Sequence, residues 1–265
     1  MTVLYTLITG ASAGIGEALA REYARRGRPL ILLARRQDRL EQLAESLRPQ
    51  VPVEILTADL ADPSAPGRIV EALRERGLEV EGLVNNAGYG LPGAFHVPGW
   101  EQHARFLQVM VTAVCELSWR LLPAMQARGR GEILNVASLA GHVPGSAGHT
   151  LYAASKAFMI KFSESLALEN SERGVRVCAL CPGFTYSEFH DITGTRTQVS
   201  KMPKWMWMTA EQVAREGLDA LASGKVVHVS GRANRLIKVV TQLLPDSWAL
   251  KLVQKRSRDF RSLDG

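Results

Sequence analysis

Tyr152 and Lys156 are four residues apart in a segment with helical periodicity, Thr150 to Glu169. Side chains at this spacing lie on one face of a helix and meet. A phenol with a pKa near 10 is a poor acid–base catalyst at neutral pH, but a neighbouring ammonium favours the phenolate and brings that pKa towards the working range. Ser138, at the end of a predicted strand, could offer its hydroxyl to a substrate oxygen. These three side chains indicate proton transfer at a carbonyl or alcohol oxygen.

A glycine-rich loop lies between the first predicted strand and the first predicted helix. It has the spacing Gly-x3-Gly-x-Gly and contains Gly10, Ser12, Gly14, Ile15 and Gly16. Glycines in such a turn let the backbone approach a pyrophosphate, which then sits on the positive N-terminus of the helix. A glycine loop alone is a weak signal, but its position between a strand and a helix predicts a dinucleotide-binding site.

Three more motifs follow predicted strands in a defined order. Asn85-Asn86-Ala87-Gly88 ends the fourth strand, Ser138 ends the fifth, and Pro182-Gly183 follows the sixth. Together with the glycine loop and the Tyr-x3-Lys pair, this order and spacing resemble the short-chain dehydrogenases/reductases over about Val3 to Val229. The resemblance implies hydride transfer between a nicotinamide and a carbonyl or alcohol carbon, in which Tyr152 gives or takes the proton of the oxygen.

The same resemblance implies which residues bind the cofactor. Lys156 would also bind the ribose hydroxyls, and Asp59-Leu60 stands at the adenine-contact position. The full implied set of cofactor-binding residues is Gly10, Ser12, Gly14, Ile15, Gly16, Arg35, Arg36, Asp59, Leu60, Asn86, Ala87, Gly88, Tyr152, Lys156, Pro182, Gly183 and Thr185.

The end of the second predicted strand predicts the choice of cofactor. NAD-specific sites use an Asp or Glu there to bind the ribose 2′-hydroxyl, but this chain has Ala34-Arg35-Arg36. The planar fork of Arg35 could pair with a 2′-phosphate, and Ser12 could add a hydroxyl. The sequence therefore predicts NADP(H), with solvated arginines as the alternative.

Met110 departs from the family pattern. The family has an asparagine in Asn-Val-Thr-Ala, where this chain has Met110-Val-Thr-Ala. In the family this asparagine helps to hold the water chain through which the lysine exchanges protons, and methionine offers no donor and only a weak acceptor. Two hypotheses follow: an active NADP(H)-dependent oxidoreductase with an impaired proton relay, or a catalytically weakened NADP(H)-binding regulatory or scaffold protein.

Strand-like and helix-like segments alternate along most of the chain, which is typical of a doubly wound parallel α/β sheet with helices on both faces. No linker or repeat divides the chain, so residues 1–230 are predicted to form one Rossmann-type catalytic domain of about seven strands. The predicted strands are Val3–Thr9, Leu30–Ala34, Val53–Thr57, Gly82–Asn85, Glu132–Ala137, Val175–Leu180 and Val226–Val229. Helical periodicity between them predicts helices such as Gly14–Gly27, Gln37–Leu47 and Trp100–Ala127.

Residues 187–208 break this alternation and are interpreted as a substrate lid. The apolar residues there would suit an apolar or bulky carbonyl substrate, or would simply pack the lid onto its own domain. These residues are Phe189, Ile192, Trp205, Met206, Trp207 and Met208.

The tail, residues 231–265, is predicted to form two amphipathic helices separated by Pro245. It carries eight Lys/Arg and three Asp/Glu, which accounts for most of the net charge of +6. Its apolar stripe could pack on the domain or a partner subunit, which the sequence favours, or it could contact an anionic membrane surface. The family resemblance implies a homo-oligomer, and the tail favours a dimer over the tetramer that is common in the family.

Composition excludes several other classes of protein. The 265 residues include 46% hydrophobic and 22% charged residues, as in ordinary globular domains. Outside the tail the charges nearly balance, which argues against nucleic-acid binding. Three cysteines indicate a reducing compartment, and Cys178-x2-Cys181 lacks a second pair, so no metal site is expected. Without a recognisable leader or a long apolar run, the sequence predicts a cytoplasmic protein.

Overall fold

A computed structural model describes residues 2–91, 93–148, 150–186 and 203–257. In order along the chain, the strands are β1 (Leu4–Thr9), β2 (Leu30–Ala34), β3 (Val53–Thr57), β4 (Glu79–Asn85), β5 (Gly131–Val136), β6 (Val175–Cys181), β7 (Phe184–Tyr186), β8 (Trp207–Thr209) and β9 (Val227–Val229). Seven of them form one parallel sheet in the order β3-β2-β1-β4-β5-β6-β9. The predicted doubly wound α/β fold is confirmed.

The helices between the strands act as the crossover connections of the parallel sheet. They are α1 (Gly14–Arg25), α2 (Gln37–Leu47), α3 (Ala65–Glu75), α4 (Trp100–Leu107), α5 (Ala113–Ala127), α6 (Thr150–Glu169) and α7 (Ala210–Ala222). Two further helices, α8 (Arg232–Leu243) and α9 (Asp246–Ser257), follow the last strand. A π-helical turn, Gln108–Thr112, joins α4 to α5, so that the predicted helix from Trp100 to Ala127 is continuous but locally distorted.

The sheet has a hydrophobic core on each face because successive side chains of a strand point in opposite directions. In β2, Leu30 and Leu32 belong to one core, whereas Ile31 and Leu33 belong to the other. Helices α1, α2 and α7 cover the first face, and α3, α5 and α6 cover the second. This arrangement fixes the helices that carry the candidate site relative to the strand ends.

The described part of the region interpreted as a lid contains a short strand, β8, that the sequence analysis missed. β8 pairs in parallel with β7, with Phe184 opposite Trp207 and Tyr186 opposite Thr209. Trp207 stacks on Tyr186 with ring centroids 4.6 Å apart, which gives this short pairing an aromatic contact. Phe189 and Ile192 lie outside the described residues.

The tail forms two helices, α8 and α9, on either side of Pro245, as predicted. Across the described residues, no helix has both the length and the apolar character needed to cross a membrane.

Candidate active site

Most of the predicted site residues follow the carboxyl ends of six neighbouring strands, which lie at one edge of the parallel sheet. β1 and β4 are neighbours whose connections leave in opposite directions, and ligands of such sheets bind in the crevice beyond this switch point. Asn86 joins the two strand ends: its Nδ2 donates to the carbonyl oxygens of Thr9 and Gly10, at 2.9 and 3.2 Å. The hydroxyl of Thr9 accepts from the backbone N–H groups of Asn86 and Ala87.

Gly16 shows why the loop after β1 needs glycine. A Cβ at this position would lie 2.2 Å from the carbonyl oxygen of Gly10 and 2.4 Å from Nδ2 of Asn86. The N-cap of α1 is Ala13, whose side chain offers no acceptor to the N–H groups of the first turn. The loop thus presents backbone donors and a positive helix end, with Gly14 and Ile15 in the first turn, and these features fit a pyrophosphate.

Arg36 is the arginine after β2 that contacts the glycine loop. Its guanidinium donates to Oγ of Ser12 at 3.1 Å and to the backbone oxygen of Ser12 at 3.5 Å. Arg35 is exposed beside it, near Tyr89. The sequence analysis assigned the 2′-phosphate to Arg35 and a supporting hydroxyl to Ser12. The structure adds a direct contact between that hydroxyl and Arg36.

Asp59 and Leu60 follow β3. The carboxylate of Asp59 accepts from the backbone N–H of Ala61 at 3.0 Å and pairs with Arg105 at 3.1 Å. Leu60 is buried in the core on the second face of the sheet. Arg105 was not among the predicted site residues, and no motif in the sequence indicates its contact with Asp59.

Lys156 is a buried cation beneath Tyr152. Its Nζ donates to the carbonyl oxygen of Val136 at 2.7 Å and lies 5.7 Å from the centroid of the Tyr152 ring. Burial lowers the pKa of Lys156 to about 8, because desolvation disfavours the ammonium. The predicted meeting of the two side chains on one face of α6 is therefore seen in the structure.

The turn that follows Ser138 packs against the helix that carries this pair. Oγ of Ser138 accepts from the backbone N–H of Ala140 at 3.1 Å and caps the 3₁₀ turn Leu139–Gly141. A Cβ on Gly141 would lie 2.7 Å from the backbone carbon of Lys156, so glycine allows the turn to pack directly against α6. This close approach carries Ser138 towards the helix that bears Tyr152 and Lys156.

The turn after β6 is fixed from two sides. The backbone N–H of Leu139 donates to the carbonyl oxygen of Pro182 at 2.8 Å. From the tail, the buried side chain of Asn234 packs against Gly183, where a Cβ would lie 2.4 Å from Oδ1 of Asn234. Thr185 is also buried, and its hydroxyl donates to the carbonyl oxygen of Gly183 at 3.2 Å. The sequence analysis missed Asn234, since a lone asparagine in an amphipathic helix is not distinctive.

Met110 lies inside the π-helical turn between α4 and α5. Its side chain is fully buried, and a Cβ on Gly88 would lie 2.9 Å from its sulfur. Met110 therefore packs against the end of the Asn85-to-Gly88 motif. π-helical turns within α-helices are frequent at functional sites, and this one coincides with the position where the sequence departs from the family.

A buried chain of hydrogen bonds connects the two helices beside the site through the sheet. Nδ2 of Asn85 donates to Oγ of Ser118 on α5 and to Oδ1 of Asn135 on β5, at 3.2 and 2.8 Å. Nδ2 of Asn135 donates in turn to Oγ of Ser163 on α6, at 2.9 Å. A satisfied buried network of this kind makes the positions of α5 and α6 specific.

The fold and the site together define a class of protein. A family model described as short chain dehydrogenase matches residues 5–197. The chain belongs to this family, as its motifs indicated.

Two relatives and one solved structure show the range of similar proteins. A sulfoacetaldehyde reductase of Chromohalobacter salexigens is 40% identical over 69% of this chain and 72% of the relative. A very-long-chain 3-oxoacyl-CoA reductase of Anas platyrhynchos is 30% identical over 97% of this chain and 81% of the relative. A short-chain dehydrogenase from Sphingobium yanoikuyae, solved in complex with NADPH, has a TM-score of 0.79 and 32% identity, and covers 94% of each chain.

These similarities establish the general activity. The protein is an oxidoreductase of the short-chain dehydrogenase family that uses a nicotinamide cofactor and acts on the alcohol or carbonyl group of a small molecule. In the parts of the chain that the structure describes, no three His, Cys, Asp or Glu side chains are grouped as a metal site.

Proposed function

We propose that this protein is an NADP(H)-dependent reductase or dehydrogenase of apolar or bulky carbonyl compounds and the corresponding alcohols. The observation that carries the proposal is the buried ammonium of Lys156 beneath Tyr152, hydrogen-bonded to Val136 two residues before Ser138. This arrangement provides a proton donor, a cation that stabilises its conjugate base, and a hydroxyl at the end of the neighbouring strand.

When bound, the nicotinamide supplies a hydride to the carbonyl carbon or removes one from the alcohol carbon. In the reducing direction, the hydroxyl of Tyr152 gives its proton to the carbonyl oxygen and becomes a phenolate. Ser138 donates a hydrogen bond to the same oxygen and orients it. Lys156 stabilises the phenolate until a proton from solvent replaces the one transferred. In the oxidising direction the same groups act in reverse.

The choice of NADP(H) is supported by the surroundings of Ser12. The residues after β2 are Arg35 and Arg36, with no carboxylate to repel a 2′-phosphate. Arg36 already donates to Ser12, so the hydroxyl and the guanidinium form a preassembled donor group. The similar Sphingobium yanoikuyae structure was solved with NADPH, in agreement with this proposal.

The preference for an apolar substrate is supported by aromatic residues near the Pro182-Gly183 turn. Trp207 lies between Phe184 and Tyr186, with ring centroids 5.6 and 4.6 Å away. A cluster of aromatic side chains of this kind suits an extended apolar substrate group. The similarity to a very-long-chain 3-oxoacyl-CoA reductase over nearly the whole chain also favours an apolar substrate. The similar sulfoacetaldehyde reductase, in contrast, is named for a small anionic substrate. The larger part of the predicted lid, residues 187–202, lies outside the described residues.

Turnover distinguishes this proposal from a cofactor-binding protein with little activity, the alternative motivated by Met110. The purified chain would be mixed with NADPH and aldehydes and ketones of increasing chain length, with sulfoacetaldehyde as the small polar comparison. We expect NADPH absorbance to fall with the longer substrates, and kcat/KM to rise with apolar length. Tyr152→Phe should bind NADPH normally but lose about 10²–10⁴-fold in turnover. Tyr5→Phe, at the start of β1, serves as the matched control.

Two outcomes would contradict the proposal. NADPH binding without turnover of any carbonyl compound would favour the regulatory alternative. Faster turnover of sulfoacetaldehyde than of every apolar compound would show that the substrate class is wrong.

Subunit association is proposed as well. Exposed apolar side chains on α5 and α6, Trp119 and Leu168, offer a surface for a homodimer. Sedimentation analysis would give the mass of the particle directly.

A further inference from the structure

Helix α8 exposes an apolar stripe formed by Leu236, Val239, Val240 and Leu243. The spacing i, i+3, i+4, i+7 places these residues on one helix face, and each is between 43% and 79% exposed. The opposite side of α8 is held on the domain, because Asn234 is buried and Ile237 packs against the core that contains Val229. The helix therefore has its apolar stripe on the side that faces outwards, and among the residues that the structure describes this stripe is not packed on its own domain.

Basic residues accompany the stripe, and α8 contains no acidic residue. Arg232 is exposed one turn before Leu236, at the beginning of the stripe. Arg235 is exposed along its edge, but its guanidinium donates to the carbonyl oxygen of Val229 at 3.1 Å and pairs with Glu216 at 3.5 Å, so its charge is already balanced. Trp248 and Leu250 are exposed on the following helix, α9. A helix with an apolar face, basic flanks and aromatic neighbours is typical of elements that lie in the interface of a membrane.

The charge of α8 decides between the two surfaces that could cover the stripe. A second copy of the chain joined by a two-fold axis would bring the same patch of each subunit together. The interface would then contain Arg232 from both copies, with no acidic residue of α8 to balance either one. An anionic lipid surface instead provides the opposite charge beside an apolar phase that can receive the leucine side chains.

We propose that the exposed face of α8 is a docking surface for an anionic membrane, with the helix lying parallel to the bilayer and the stripe inserted at the headgroup boundary. This binding is peripheral and reversible, and it needs no transmembrane segment. It depends on both the apolar stripe and the basic residues at its edge.

The test measures binding of the full chain to vesicles by flotation. We expect binding to vesicles of phosphatidylcholine with phosphatidylserine, weaker binding to phosphatidylcholine alone, and release by high salt. Leu236→Ser with Leu243→Ser should reduce binding at least about tenfold, since each substitution removes an apolar side chain that would enter the bilayer. Arg232→Gln should weaken binding and reduce its sensitivity to salt. Val3→Ser, just before β1, removes an exposed apolar side chain away from α8 and should bind as the unaltered protein does.

The oligomeric state of the same variants completes the test. The double variant should keep the mass of the unaltered protein in sedimentation and its NADPH affinity, which shows that the domain is folded. Failure of the unaltered protein to bind anionic vesicles would overturn the proposal. Dissociation of an oligomer in the Leu236→Ser, Leu243→Ser variant would also overturn it and would assign the stripe to contact with a second copy.

Discussion

The ammonium of Lys156 donates a 2.7 Å hydrogen bond to the carbonyl oxygen of Val136, and so connects α6 to the end of β5. This bond crosses from the helix of Tyr152 to the strand that leads into Ser138. This buried contact therefore helps to set the distance between the elements that carry the proposed proton donor and the proposed substrate-orienting hydroxyl. It also gives a buried cation a specific acceptor.

The pKa of Lys156 predicts a pH-dependent stability. Burial lowers this pKa to about 8 in the folded protein, from about 10.5 in the unfolded chain. Between these values the unfolded chain binds more protons, so the contribution of Lys156 to the free energy of unfolding increases as pH rises. We expect this contribution to increase by about 2 kcal/mol between about pH 7.5 and 9.5. Urea unfolding of the cofactor-free protein and of Lys156→Met at both pH values measures the difference.

Lys161→Met is the control for this experiment, since Lys161 is exposed on the same helix. Its stability difference from the unaltered protein should not change over this pH range. An equally constant difference for Lys156→Met would show that Lys156 titrates at its ordinary pKa in the folded protein.

Arg35→Asp tests the proposed cofactor preference. Replacing the cation with a carboxylate would repel a 2′-phosphate, so we expect NADPH affinity to fall by roughly tenfold or more while NADH affinity is kept or improved. Arg48→Asp makes the same charge change at an exposed position after α2 and should alter neither affinity. Fluorescence titration with both cofactors gives the ratio. An unchanged ratio for Arg35→Asp would mean that Arg36 and Ser12 alone bind the phosphate.

Gly16→Ala tests the geometry of the loop after β1. Because the new Cβ would lie 2.2 Å from the carbonyl oxygen of Gly10, the loop must move, at an expected cost of about 1–3 kcal/mol in stability. Cofactor affinity should fall at the same time. Gly67→Ala is the matched control in α3, where the nearest atom lies 3.3 Å away at the end of the Arg120 side chain. In thermal unfolding, Gly67→Ala should be as stable as the unaltered protein or slightly more stable. Normal NADPH binding by Gly16→Ala would contradict the assignment of this loop to the cofactor.

Met110→Asn tests the proposed proton relay. If the backbone carbonyl of residue 110 holds the relay water, asparagine should improve proton supply to Tyr152 through Lys156, whereas hydride transfer and cofactor binding stay as they are. We expect kcat to rise roughly tenfold, with the larger gain at high pH, and KM for NADPH to stay nearly constant. Met110→Leu, which adds no polar group, should show no gain. A fall in kcat for Met110→Asn would show that the π-helical turn is shaped around methionine, since this side chain is fully buried against Gly88.

The sequence predicts the main elements because their signals are local. The apolar run Leu30–Ala34 and the periodic segment Gln37–Leu47 have the same bounds in the structure as in the prediction. Tyr152 and Lys156 could be paired because i,i+4 geometry is a property of the helix itself. The contact of Arg36 with Ser12 depends on how two loops meet across neighbouring strands, and nothing near either residue specifies it. The same holds for the pairing of β7 with β8, which brings together residues about twenty positions apart.

The packing of Asn234 against Gly183 makes the tail and the turn after β6 thermodynamically linked. Nδ2 of Asn234 donates to the carbonyl oxygen of Ser230 at 2.8 Å, and the buried side chain occupies the space beside Gly183, so a shift of α8 would change the packing of this turn. Thermodynamic linkage is reciprocal. If cofactor binding at the turn changed the affinity of α8 for a membrane, the membrane would change the affinity of the turn for the cofactor by the same factor. If α8 binds a membrane as proposed, Asn234 would therefore couple membrane binding to the free energy of cofactor binding at the turn after β6.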